Sequence, residues 1–96
     1  MDSERYLSRI KDILSRVLTG CQVYLFGSRA TGRYREESDF DIGVLAPRDI
    51  SRELSIAREM LEESAIPFTV DLVDLSATSI EFVEKVQREG ILLWKD

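Results

Sequence analysis

The feature that most constrains this chain is a change of hydrophobic period along its length. Three short runs rich in β-branched and aromatic residues, 21–26, 40–46 and 68–75, alternate with longer stretches whose apolar residues recur every three or four positions. Leu7, Ile10, Leu14, Val17 and Leu18 mark a helix over residues 3–18, stopped by Gly20. Leu54, Ala57, Met60 and Leu61 mark a second over about residues 49–64, broken at Ile66-Pro67. Thr78-Ser79-Ile80-Glu81 reads as a capping box, with a Thr oxygen for an orphan N–H and a Glu reaching back. The helix after it should run to about Arg88 and end at Glu89-Gly90. Residues 91–94 then form a short strand or an apolar tail, and a helical turn could follow Ser28 within the polar segment 29–38. The order α-β-(α)-β-α-β-α-(β) predicts one α/β (α+β) domain over residues 1–96, with a small mixed sheet and helices mainly on one face. A chain of 96 residues buries only roughly 60–65% of its unfolded surface, which leaves little room for a second substrate-binding lobe.

Composition narrows the chemistry. There is no histidine, which excludes a Ser–His–Asp triad, a histidine base and histidine-containing zinc sites. The single cysteine, Cys21, cannot form an intramolecular disulfide and reads as a small buried hydrophobe. Acid–base or metal chemistry therefore falls to carboxylates, lysines, tyrosines or that thiol. The formal charge of −5 argues against a nucleic-acid backbone as the main partner. The polar N-terminus lacks the apolar core of a secretory signal, and no apolar stretch approaches the roughly 20 residues that span a bilayer, so the cytoplasm is the expected location.

The acids carry the pattern. In a strand, Phe40, Ile42 and Val44 share one face, and Asp39, Asp41 and Gly43 share the other. Asp39 and Asp41 then stand about 7 Å apart, a span that can grip one or two hard cations. Asp71 interrupts the apolar run 68–73, where a lone buried carboxylate is costly. Beside the second strand it would lie about 5 Å from its neighbour across the ladder. Three acids on one face repel one another unless a cation such as Mg²⁺ neutralises them. Gly27 ends a strand where a ligand can approach the backbone, and Ser28 offers a hydroxyl and an N–H at the start of a turn. Arg29 and Arg33 could add guanidinium contacts to a triphosphate.

Each piece alone has a plainer explanation. Gly-Ser after a strand is commonly a turn, and Asp-x-Asp is commonly a solvated edge. A single mid-strand acid also fits a water-facing edge, and the two arginines fit ordinary surface charge. Glu36-Glu37 and Glu62-Glu63 read as solvated faces.

Together the pieces are more specific. Gly27-Ser28-Arg29-Ala30-Thr31-Gly32, then Ser38-Asp39-Phe40-Asp41-Ile42, then an acid in the next strand, resembles the signature of the DNA polymerase β-like nucleotidyltransferase superfamily, and within it the minimal nucleotidyltransferases. The resemblance covers nearly the whole chain. It implies the polymerase β-like fold, Gly27 and Ser28 on the NTP phosphates, and Asp39, Asp41 and Asp71 as ligands of two Mg²⁺ ions. Asp71 would also help deprotonate the attacking hydroxyl. It further implies transfer of a nucleoside monophosphate, expected to be AMP from ATP, onto a HEPN-type helical partner in a toxin–antitoxin pair. Two other readings stay open: an antitoxin that acts by occlusion alone, and an enzyme acting on a small molecule such as an aminoglycoside. Phe82, Val83, Val86 and the apolar residues 91–94 either close the core or leave an interface for that partner or a second copy.

Overall fold

The computed structural model describes residues 2–33 and 38–95; Glu36 and Glu37 lie outside them. The elements run α1 (Asp2–Ser15), β1 (Gln22–Phe26), α2 (Ser28–Thr31), β2 (Phe40–Leu45), α3 (Ser51–Glu63), β3 (Val70–Asp74), a 3₁₀ turn (Leu75–Ala77), α4 (Ile80–Glu89) and β4 (Ile91–Lys95). The order matches the one predicted from periodicity. The strands form one mixed sheet in the order β3-β2-β1-β4. β1 is antiparallel to β2 and β4, and β2 is parallel to β3. A parallel neighbour needs a crossover connection, and α3 supplies it.

Strand alternation then sorts the side chains. Val23, Leu25, Phe40, Ile42, Val44 and Leu72 are buried in the main core with Ile10, Leu14 and Leu18 of the N-terminal segment and Leu54, Ala57 and Leu61 of α3. On the opposite face a smaller cluster forms around Tyr24, Leu75 and Val86, with Phe26, Phe82 and Val83 packed against it. α4 thus shares a face with the acids, while the two longest helices cover the other. Gly43 makes room there: a Cβ on it would come within 2.9 Å of the Leu75 side chain, which would have to shift where the 3₁₀ turn crosses β2.

Some boundaries shift from expectation. α1 gives way to a turn after Ser15, yet Leu18 N–H still donates to the Leu14 carbonyl at 2.8 Å and its side chain is fully buried. The cap of α4 is Ser79, not Thr78: Ser79 Oγ accepts from Phe82 N–H at 3.1 Å. Thr78 Oγ1 instead donates to the Leu75 carbonyl at 2.8 Å, closing the preceding turn. Glu81 therefore falls one position too early for a capping box. The terminal residues are a true edge strand. Its Leu93 and Trp94 pack on the main core, whereas Ile91 and Leu92 remain about half exposed. Cys21 is buried, as expected of a small hydrophobe. Among the described residues, no helix is long and apolar enough to cross a membrane.

Candidate active site

The register brings the predicted acids together. Asp41 on β2 pairs with Asp71 on β3 on one side and with Phe26, the last residue of β1, on the other. Asp39 lies just before β2, near enough for its charge to act on Asp41. Gly27 and Ser28 follow Phe26 directly, so the glycine turn stands beside Asp41.

Gly27 is required by geometry. Its φ of 76° and ψ of −155° belong to a region that is nearly glycine-only. A Cβ at this position would collide with Asp41 Oδ2. The bare backbone therefore cradles one edge of the carboxylate. α2 begins at once, with Ala30 N–H donating to the Gly27 carbonyl at 3.1 Å and Arg33 N–H to the Ser28 carbonyl at 3.0 Å. The N–H of Ser28, the first residue of α2, precedes these intrahelical bonds.

Asp41 bears the electrostatic cost. Its carboxyl is held above the ordinary carboxylate value, first by burial, then by the charge of Asp71, then by that of Asp39. Asp71 itself is exposed, because β3 is an edge strand. Of the two readings open to a mid-strand acid, Asp71 thus takes the water-facing edge, and burial falls on its ladder neighbour Asp41. Among the described residues, no three acids stand close enough together to hold a metal ion as their side chains lie. The aspartates instead line an open row across two strands. A hard ion such as Mg²⁺ needs only one or two carboxylates and takes its other ligands from water and phosphate, so an open pair such as Asp41 and Asp71 is the arrangement to test for it.

The two arginines separate. Arg33 opens onto the cleft beyond Ser28. Arg29, expected on the triphosphate, turns inward. It is 7% exposed, its Nε donates to the Ser38 carbonyl at 2.9 Å, and its guanidinium lies 4.0 Å from the Phe40 ring centroid and 5.0 Å from that of Phe68. It ties α2 to the segment entering β2 and so positions Asp39 and Asp41 indirectly.

Two clefts of about 400 Å³ flank the row. One follows the β3 edge and includes Asp71, Arg58 and Phe68. The other lies between α2 and α4 and includes Ser28, Arg33, Phe82 and Lys85. Lys85 was not anticipated as a site residue; only its place three residues after Phe82, on the same helical face, hints at it.

The family model "Polymerase beta, Nucleotidyltransferase" matches residues 8–96. The chain belongs to this nucleotidyltransferase family. Two curated relatives are similar to it. A Haemophilus influenzae protein named "Probable protein adenylyltransferase MntA" is 30% identical over 91% of this chain and 77% of its own length. "Protein adenylyltransferase MntA" of Shewanella oneidensis is 40% identical over 75% of this chain and 52% of its own length, so the chain spans about half of that relative. Among solved structures, a toxin–antitoxin crystal structure with AMP-PNP superposes with a TM-score of 0.73 at 34% identity, over 93% of this chain and 73% of the other. A structure of the tri-AMPylated HEPN toxin of Shewanella oneidensis with its MNT antitoxin superposes with a TM-score of 0.65 at 32% identity, over 93% and 69%. As a nucleotidyltransferase, the chain has its acids and its Gly-Ser turn side by side in the fold.

Proposed function

We propose that this chain transfers AMP from ATP, with Mg²⁺, onto a hydroxyl of a HEPN-type helical partner, and thereby acts as the antitoxin of a pair. The observation that carries this is the Asp41 cradle. A carboxylate held against a bare glycine, repelled by two further acids, is a poor arrangement for stability and a good one for a cation-bound phosphate. The names of the relatives and the AMPylated toxin beside a similar antitoxin support the choice of nucleotide and acceptor.

Asp39, Asp41 and Asp71 would hold the metal, which supplies charge neutralisation for the attacking and leaving oxygens. The chain's own groups do the rest. Gly27 and Ser28 receive the phosphates, with Arg33 beside them. Asp71, exposed at the β3 edge, accepts the proton of the incoming hydroxyl. The oxygen then bonds to the α-phosphorus, the bond to the β-phosphate oxygen breaks, and pyrophosphate departs with the electron pair.

The test is intact-mass analysis of the partner after incubation with this protein, ATP and Mg²⁺. The wild type should add AMP to the partner. Asp71→Asn should fold and bind the partner but add none, and should fail to protect cells from a toxic partner. Full protection without detectable transfer would establish occlusion in place of catalysis.

A further inference from the structure

We infer that Lys85 on α4 holds the departing pyrophosphate in the cleft between α2 and α4; this rests on the transfer reading above. Across the sheet, Asp71, Asp41 and Phe26 occupy one register row on three adjacent strands. In-line displacement sets the attacking and leaving oxygens on opposite sides of phosphorus. With the acceptor hydroxyl at Asp71, the leaving group points toward Gly27 and Ser28. There the second cleft opens, walled by Phe26, Gly27 and Ser28 on one side and by Phe82, Lys85 and Val86 on the other.

Pyrophosphate leaving from beside Asp41 needs cations ahead of it. The cleft provides Arg33 and Lys85. Lys85 is exposed and makes no ion pair among the described residues. Glu89 lines the same cleft, but its carboxylate lies 4.0 Å from the Arg88 guanidinium. The helix that carries Lys85 is fixed to the end of β1 by an edge-to-face contact of Phe26 and Phe82, with ring centroids 5.6 Å apart. A lysine is a compact charge on a flexible stem, suited to following a group that moves away.

The test uses the whole protein with two variants, Lys85→Gln and Lys85→Arg, both expected to melt with the wild type because the residue is exposed. Calorimetry with Mg²⁺ and inorganic pyrophosphate should show about tenfold weaker binding for Lys85→Gln, largely restored by arginine. The KM for ATP should rise in parallel. Pyrophosphate affinity within twofold of wild type in Lys85→Gln would overturn the assignment. If the wild type adds no AMP to its partner, the transfer reading fails separately, while a Lys85-dependent loss of pyrophosphate affinity still upholds the subsite.

Discussion

Replacing Gly27 with alanine tests the site at its tightest point. The backbone at φ 76°, ψ −155° costs a residue with a Cβ about 2 kcal/mol. For a domain of this size that lowers the melting temperature by about 8–16 °C. The new methyl also collides with Asp41 Oδ2, so the carboxylate must move. A displacement of about 1 Å at a reacting centre costs on the order of 10²-fold in rate. Gly32→Ala is the control. It too has a positive φ, 78°, but nothing lies within 4 Å of an added Cβ. It should lose about 1 kcal/mol and keep its rate per folded molecule. Melting followed by circular dichroism reads the first quantity, and partner mass against time at a temperature below both transitions reads the second. Transfer by Gly27→Ala within a few-fold of wild type, with Gly32→Ala equal to it, would refute the cradle.

Asp41→Asn should abolish transfer yet raise the melting temperature in chelator without nucleotide, because it removes a charge that burial, Asp71 and Asp39 all disfavour. The folded pKa of Asp41 is raised, so the folded wild type binds the extra proton. Its stability should therefore fall as pH rises from 3.8 through that raised value, and parallel pH–melting curves for wild type and Asn variant would contradict this. Asp49 works in the opposite sense. Its Oδ1 accepts from Ser51 Oγ at 2.6 Å and Ser51 N–H at 2.9 Å, which lowers its pKa. Asp49→Ala should thus melt below the wild type at neutral pH, and the gap should close as pH falls through the lowered pKa. Arg29→Ala should lose about 2 kcal/mol, from a charged hydrogen bond and its ring contacts. ATP affinity measured on the folded fraction should fall no more than a few-fold, because Arg29 acts on the acids only through the backbone, and a large selective loss of ATP affinity at unchanged stability would restore Arg29 to the phosphates.

Chain order alone makes the alternation of elements legible, because helix and strand periods are local and α3, β2 and β3 each repeat theirs clearly. It also determined which acids and which Gly-Ser turn to watch, since spacing along one strand places Asp39 and Asp41 on a common face. The adjacency of the strands holding Phe26, Asp41 and Asp71 was expected from the resemblance and is found, but no local period encodes it. β2 and β3 are separated by α3, and only packing of that helix on the sheet brings Asp71 opposite Asp41. Arg29 looked like a surface charge or a phosphate ligand; its inward course depends on Phe40 and Phe68, residues that meet only when the strands are side by side. Lys85 gained a place because α4 packs on the acid face beside Phe26, a contact between elements more than fifty residues apart. Local interactions choose the elements; the site depends on nonlocal burial, which decides which faces meet.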